Sequence, residues 1–403
     1  MIFKLKPVSF LKGTIQLPAS KSYSIRAFII GAFAQSQIKQ ASNCDDALVA
    51  QRIAKALIKK VKMFSVGESG TTLRFLLPLL PLYVPEAIVR GQGTLIGRPN
   101  VHLCKSLRNC GMDIHGHGPK ESVPIVFRGG QIKGGVIKID GSLSSQFISA
   151  LLIAAPHLKE DTRIIITGKE MVSQDYIVMT LAILAKAGIR IKRLSRREFV
   201  IKGGQQFKAL KNFYVPSDYG LAAFPMAASS LLSSNIILKG HLKDDLIQSD
   251  GHILEFLKRM GVVFKKTDST ISMQGPFVLK GGIFSLKNCP DLVPIMAVLA
   301  LFAKGQTKLV DIYHARAKES DRISDVRREL LKVGADVKET ANALIISPKN
   351  SYRAGQVLDS HNDHRLAMAW TVLGLKIGCQ VKGIESCRKS YPCFVADIKS
   401  LIS

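Results

Sequence analysis

Leu107-Arg108-Asn109-Cys110-Gly111 runs into Met112-Asp113-Ile114, and the same pattern returns three times along the 403 residues. Leu184-Ala185-Lys186-Ala187-Gly188 precedes Ile189-Arg190-Ile191. Leu257-Lys258-Arg259-Met260-Gly261 precedes Val262-Val263-Phe264. Leu330-Leu331-Lys332-Val333-Gly334 precedes Ala335-Asp336-Val337. A helix that ends on a C′ glycine, followed by a strand with alternating apolar positions, writes this pattern. Basic residues near the ends suit the negative pole of the helix dipole. The glycines stand 77, 73 and 73 residues apart, a period longer than that of solenoid repeats. Helix-glycine-strand junctions recur in any α/β protein, but the shared leucine four residues before glycine favours one unit used repeatedly. Weaker copies around residues 54–62 and 394–402 bring the expectation to about six α/β units.

Each unit is expected to carry one helix that is apolar nearly all round and therefore buried. The candidates are residues 24–34, 71–80, 144–155, 221–232, 292–303 and 365–375. No low-complexity linker occurs. Pro216 and a polar cluster interrupt the pattern near 214–218, which suggests a domain junction there.

Composition removes several classes. With 47% hydrophobic and 22% charged residues the chain is too apolar for disorder, and its length suggests two or three domains, each able to bury a core. The cleanest apolar run, 292–303, is shorter than the ~20 residues a membrane span needs and contains Pro294. Residues 1–13 carry Lys4, Lys6 and Lys12 without an apolar core, so they read as mature structure and not as a signal peptide. Seven scattered cysteines without a CxxC pair fit a reducing compartment. The charge is less ordinary: 57 Lys and Arg face 30 Asp and Glu, a net of +27. Nucleic acid, acidic lipid and small anionic substrates are all compatible with it.

The placement of the cations narrows this. Lys21 and Arg26 flank the start of the 24–34 helix, Arg74 follows Gly67-Glu68-Ser69-Gly70, Lys318 and Arg322 bracket Glu319, and Arg365 opens the 365–375 helix. A cation in a first helical turn opposes the dipole. It becomes favourable where an anion binds among the free N–H groups. No Walker A loop and no GxGxxG fingerprint occurs, so a multi-anion site outside the nucleotide superfolds is expected.

In order along nearly the whole chain, these residues resemble the 5-enolpyruvylshikimate-3-phosphate synthase family. Leu17-Pro18-Ala19-Ser20-Lys21-Ser22-Tyr23-Ser24-Ile25-Arg26 is similar to its PxSKSxSxR segment, and Ser69-Gly70-Thr71-Thr72-Leu73-Arg74 to its SGTxxR loop. Gly97-Arg98-Pro99 resembles its RP turn and Ser144-Ser145-Gln146 its SSQ. Ala317-Lys318-Glu319-Ser320-Asp321-Arg322 and Asn362-Asp363-His364-Arg365 resemble KExDR and NDHR. Each motif is weak alone; six in order are specific. The resemblance implies an α/β chain of two similar domains, each of three βαβαββ units (the enolpyruvyl transferase fold, like an inverse α/β barrel). Residues 1–19 with 216–403 would form one domain and 20–215 the other, with the active site in the interdomain cleft.

The activity implied is transfer of the enolpyruvyl group of phosphoenolpyruvate to the 5-hydroxyl of shikimate 3-phosphate, with release of phosphate. The resemblance assigns Lys21, Gly70, Arg98, Gln146, Arg322, Arg365 and Lys389 to phosphoenolpyruvate. It assigns Lys21, Ser22, Arg26, Ser144, Ser145, Gln146, Ser173, Tyr176, Asp291 and Lys318 to shikimate 3-phosphate. Arginine suits a bidentate grip on carboxylate or phosphate. Each serine would equally serve as a helix cap. Asp291 is the expected base on the hydroxyl and Glu319 the expected proton donor to the methylene carbon; Lys21 and Lys389 are further candidates for the proton transfers. Without the resemblance, Asp291 reads as a cap and Glu319 as a member of a helix ion pair. No cofactor and no nucleic-acid or membrane partner are expected, and the chain is expected to be a cytoplasmic monomer. His361 with His364, or His115 with His117, could suggest a metal, but the first pair lies in a motif explained without one and the second follows a glycine-rich turn. None is expected.

Three positions depart from the family's usual pattern. Glu68 stands where many members have Asn. His314 replaces an Asn before KExDR. Tyr219-Gly220-Leu221-Ala222 replaces a serine-rich stretch after Asp218. A rival on the same fold, UDP-N-acetylglucosamine 1-carboxyvinyltransferase, has a lysine–asparagine pair and a loop cysteine. Here Ser22 follows Lys21, and Cys104 and Cys110 fall in an expected helix. A nucleic-acid-binding reading finds no basic run interleaved with aromatics. Eight cations sit in the motifs or among the assigned residues (Lys21, Arg26, Arg74, Arg98, Lys318, Arg322, Arg365, Lys389). The other 49 basic residues still exceed the 30 acids, so the site does not account for the charge.

Overall fold

A computed structural model describes residues 1–402. Contacts divide the chain into two compact units, Met1–Ser20 with Pro216–Ser403, and Lys21–Val215. Ser20 joins the first unit because its N–H donates to the Pro216 carbonyl.

One sheet plan is written four times. In the second unit, Met63–Ser65 lies parallel to Ala87–Arg90, then Ser122–Gly130 and Met112–His117 follow, each antiparallel to its neighbour. Gly135–Asp140, Thr162–Thr167, Glu198–Ile201 and Ile191–Ser195 repeat that order. In the first unit, Phe10–Gln16 pairs parallel with Ser233–Lys239 in the register Gly13↔Ile236, followed by Thr270–Met273 and Lys265–Lys266. Ile283–Ser285, Thr307–Val310, Ala343–Ser347 and Asp336–Glu339 give the fourth copy. Two further sheets keep the parallel pair but are shorter. Val357–Asp359 beside Cys379–Lys382 gains Ile2–Leu5, and Ile38–Lys39 beside Phe213–Tyr214 gains nothing among the described residues.

The four full sheets are those whose helices end in the four glycines, all in the left-handed region at φ +101°, +80°, +91° and +81°. The leucine four residues earlier has a backbone role. Ile189, Val262 and Ala335 donate their N–H to the carbonyls of Leu184, Leu257 and Leu330, the closing bond of a Schellman motif. The weak copy at 54–62 makes the same bond from Val61 to Ala56, with Lys60 held at φ +56° where the others have glycine.

The six all-apolar segments are the buried helices: Lys21–Gly31, Gly70–Leu76 with its 3-10 extension Leu77–Leu79, and Ser145–Ala154 in one unit; Tyr219–Leu231, Val293–Leu301 and His364–Ile377 in the other. Every residue of Val293–Leu301 is buried, and each of its larger side chains contributes about 1.5–3 kcal/mol relative to exposure. Pro294 is accommodated because the first turn has no intrahelical use for its N–H. The sheets turn one face to these helices. Ser233–Lys239 alternates strictly, burying Ser234, Ile236 and Leu238, as a strand packed on one side must.

Candidate active site

The buried helices matter because polar residues gather at their N-terminal ends. Ser69, Ser144, Asp218 and Asp363 cap four of them, accepting the N–H of Thr72, Gln146, Leu221 and Arg365. Side-chain oxygens at these positions satisfy donors that the helix leaves unpaired. They also fix the backbone that carries the neighbouring functional groups.

In the second unit, Lys21 opens its helix three residues before the expected start. Its ammonium lies 3.1 Å from the carboxylate of Asp46, which stands in the first turn of Asp45–Ile58. Arg26 sits a turn further along and is buried. Its Nη1 donates to the Ser22 carbonyl (2.9 Å), Nη2 to the Tyr176 carbonyl (3.1 Å) and Nε to Thr180 Oγ1 (2.8 Å). The guanidinium lies over the rings of Phe75 and Tyr176, at 5.3 and 5.8 Å. Burial lowers its pKa to about 10, so it stays charged at neutral pH with only neutral groups around it. Ser173 adopts the left-handed conformation at φ +54° just before Gln174–Lys186, and its carbonyl accepts the Tyr176 N–H (3.2 Å), so Arg26 links Ser22 to the start of that helix.

Gln146 is held from both ends of its amide. Oε1 accepts from Arg74 Nη1 (2.5 Å) and Nε2 donates to Thr71 Oγ1 (2.9 Å). Arg74 also donates to Asn100 Oδ1 (3.2 Å) and the Pro99 carbonyl (3.0 Å), joining Gln146 to the turn that carries Arg98. Gly70 completes the arrangement: a Cβ there would lie 2.9 Å from Arg98 Nη1. Glu68 aims at the same turn, accepting the Thr94 N–H (2.8 Å) and hydroxyl (2.7 Å). The carboxylate that departs from the family's pattern therefore caps Gly93–Leu95 and buttresses the Arg98 segment.

In the first unit, Asp291 stands in the 3-10 turn Pro290–Leu292 that leads into Val293–Leu301. Three cations reach it: Arg322 Nη1 at 2.7 Å, Lys318 Nζ at 3.3 Å and Arg365 Nη2 at 3.3 Å. Arg322 is fully buried and also donates to Glu319 (3.0 Å) and, in a fork, to both oxygens of Asp363 (2.7 and 3.2 Å). Burial alone would lower its pKa, but Asp363, Asp291 and Glu319 outweigh it and hold the guanidinium well above its usual value. Arg365 donates to the Gly220 carbonyl (2.6 Å) and approaches Asp250 (3.8 Å). Lys389 donates to the Asn362 carbonyl (2.6 Å). Burial, with Asp291 nearby, pushes the Asp250 carboxyl up to about 7. His314 is buried, and neither ring nitrogen has a hydrogen-bond partner among the described residues. Burial, with Lys318 adding to it, lowers its pKa to about 3, so the ring is neutral.

Several expectations change. Only Lys21 and Arg365 occupy first helical turns. Arg26 is mid-helix, Arg74 lies near the end of Gly70–Leu76, and Lys318 and Arg322 lie between the turn Tyr313–Ala317 and the helix Ser324–Lys332. The dipole argument thus covers two of these cations; buried hydrogen bonds and carboxylates hold the others. Glu319 belongs to that loop and not to a helical ion pair. His115 and His117 lie on the strand Met112–His117, His115 beside Asp113 at 3.1 Å. His361 turns to Glu329 at 3.0 Å, whereas His364 is buried. Among the described residues no three His, Cys, Asp or Glu side chains group as a metal site would need. Sequence reasoning missed Asp46, Thr71, Asn100, Thr180 and Asp250, since a polar residue in a first turn or a bend carries no mark of the distant side chain it will meet. Among the described residues no disulfide joins any of the seven cysteines, and no helix is long and apolar enough to cross a membrane.

Residues 45–398 match the family model described as EPSP synthase (3-phosphoshikimate 1-carboxyvinyltransferase). The chain is 34% identical to the 3-phosphoshikimate 1-carboxyvinyltransferase of Methanocaldococcus jannaschii, across 98% of this chain and 97% of that protein. It is 34% identical to that of Clostridium perfringens across 98% and 96%. Among solved structures, the EPSP synthase of Acinetobacter baumannii superposes with a TM-score of 0.78 at 25% identity, covering 99% of this chain and 98% of that one. The enolpyruvyl transferase NikO from Streptomyces tendae, at 15% identity and a TM-score of 0.77 over 99% and 97%, shares the fold.

Proposed function

Since this chain belongs to the EPSP synthase (3-phosphoshikimate 1-carboxyvinyltransferase) family, we propose that Asp291 and Glu319 perform the proton transfers of its reaction. The enzyme moves the enolpyruvyl group of phosphoenolpyruvate to the 5-hydroxyl of shikimate 3-phosphate and releases phosphate. Atoms balance in two steps. The hydroxyl oxygen adds to C2 of phosphoenolpyruvate while its proton leaves to a base and another proton reaches the methylene carbon. Loss of phosphate and of one methyl proton then restores the double bond. Asp291 serves as the base on the hydroxyl and Glu319 as the donor to carbon, with Lys21 and Lys389 as further participants in proton transfer.

The observation that carries this reading is the clamp on Asp291. Arg322, Lys318 and Arg365 fix both carboxylate oxygens, so a base would stand oriented among cations that also suit phosphate and carboxylate. For phosphoenolpyruvate the assigned groups are Lys21, Gly70, Arg98, Gln146, Arg322, Arg365 and Lys389. For shikimate 3-phosphate they are Lys21, Ser22, Arg26, Ser144, Ser145, Gln146, Ser173, Tyr176, Asp291 and Lys318. Arg26 supports its own assignment: a buried cation among neutral partners gains most when a substrate anion arrives. Residues 1–19 with 216–403, and 20–215, are read as the family's two domains. The enzyme is read as cytoplasmic, in keeping with seven cysteines that form no disulfide among the described residues, and as a monomer.

Asp291→Asn tests the assignment. It keeps the size and hydrogen-bonding oxygen but removes the base, and Arg322 retains Glu319 and Asp363, so the fold survives. Phosphate release should fall in kcat by about 10²–10⁴ with an unchanged circular-dichroism spectrum. A kcat within threefold of wild type would count against Asp291 as base.

A further inference from the structure

His361 and Asn362 are consecutive non-glycine residues in the left-handed region, at φ +50° and +57°. They stand immediately before the Asp363 cap and Arg365. Side chains rarely adopt this backbone, and it persists where surrounding contacts over-determine it. Three contacts do so here. The His361 N–H donates to Asp359 Oδ1 (2.8 Å). The imidazole Nε2 meets Glu329 Oε1 (3.0 Å) and lies 4.0 Å from Asp325, both on the helix Ser324–Lys332. Glu329 in turn accepts the Asp359 N–H (2.8 Å) and the Lys332 ammonium (2.6 Å). Glu329 is 1% exposed, a buried carboxylate with cationic partners on two sides. On the other side of the bend, the Asn362 carbonyl is the acceptor for Lys389.

The geometry points to His361 as a positioning residue for phosphoenolpyruvate: its imidazole ties the helix Ser324–Lys332 to the strained bend whose Asn362 carbonyl orients Lys389. This rests on the assignment of Lys389 to phosphoenolpyruvate. The tie is strongest when the ring is cationic. The hydrogen bond to Glu329 raises the pKa of His361, with Asp325 adding to it. Burial opposes, but His361 and Lys332 outweigh it and hold Glu329 below its usual value. The ring borders a cavity of about 400 Å³ shared with Met1, Asp359, Lys382 and Glu385. The charged groups facing it are therefore Asp325, Glu329 and Lys332 from the helix, Asp359 from Val357–Asp359, Lys382 paired with Asp359 (2.9 Å), and Glu385 paired with the amino terminus (3.2 Å). Below the ordinary histidine pKa of about 6.5 the tie is complete. It weakens as pH rises through the higher folded-state value, and the KM for phosphoenolpyruvate rises with it.

The test is the pH profile of both KM values in wild type, His361→Gln and His361→Asn. Gln reaches Glu329 but does not titrate. Asn favours the left-handed backbone but is too short to reach. The KM for phosphoenolpyruvate is expected to rise about threefold to tenfold in wild type across the titration of His361, followed independently by the NMR shift of its ring proton. That rise should be missing from His361→Gln, while His361→Asn should show the raised KM at every pH. The KM for shikimate 3-phosphate should not move in any of them. Superimposable profiles in wild type and His361→Gln would overturn the proposal. So would a wild-type KM that stays flat while the ring proton titrates, a measurement that needs no variant to fold. Lys389→Met separates the two claims: an unchanged phosphoenolpyruvate KM there refutes the assignment of Lys389, whereas a raised one beside superimposable His361 profiles refutes only the positioning role.

Discussion

Gly70 has no side chain because Arg98 takes the space. The Arg98 guanidinium lies where a Cβ would come within 2.9 Å of Nη1, and the end of a long side chain yields more readily than backbone. Gly70→Ala should therefore displace Arg98 and leave the fold intact. The expected result is a KM for phosphoenolpyruvate raised about tenfold, roughly 1.4 kcal/mol, with the melting temperature and the KM for shikimate 3-phosphate unchanged. An equal rise in both KM values would show a wider disturbance. Arg74 has the opposite character. Its motif resembles a substrate-binding one, yet its donors go to Gln146, Asn100 and Pro99. It orders groups assigned to substrate and is not itself assigned to one. The resemblance assigns Arg98 and not Arg74 to phosphoenolpyruvate, and the donors of Arg74 are taken up by groups of the protein itself.

At the scale of elements, the repeat carries the energetics. Each full unit turns from helix to strand through a C′ glycine whose positive φ costs a residue with a side chain about 1 kcal/mol or more. Gly261→Ala, at φ +91°, should destabilise by about 1–2 kcal/mol in urea unfolding without altering either KM, because Gly261 lies outside the candidate site. The converse holds in the degenerate sixth unit. Lys60 occupies the same position at φ +56°, and Lys60→Gly should stabilise by up to about 1 kcal/mol. A loss of stability there would show that the lysine side chain contributes more than its backbone strain costs. The sequence made this element readable because a C′ glycine is a local requirement. The short sheet Ile38–Lys39 with Phe213–Tyr214 was not readable, since its strands are 2 residues long and lie far apart in the chain.

The whole molecule sets the charges that no single element can. Asp250, Asp218, Asp291 and Arg365 come from four separate stretches, and their proximity lifts the Asp250 carboxyl to about 7 by burial first and the neighbouring Asp291 charge next, against the pull of Arg365. An unfolded aspartate titrates near 3.9. Between these values the folded state binds more protons than the unfolded one, so this group's contribution to stability falls as pH rises from about 4 to about 7. Asp250→Asn removes that dependence. Its melting temperature relative to wild type should climb across the same interval, measured by calorimetry at several pH values, and a constant difference would refute the raised pKa. The sequence by itself determined the periodic plan: six buried helices, the turns behind them and the motifs at their starts all follow from local rules of backbone and side chain, because apolar faces and left-handed glycines are written within a few residues. It also carries the +27 surplus, which the site cations do not explain. Only the tertiary structure decided which cation meets which carboxylate, that Glu68 supports a turn, and that His361 reaches Glu329. Those pairings join residues far apart in sequence, and a charge in the chain has no partner until the fold supplies one.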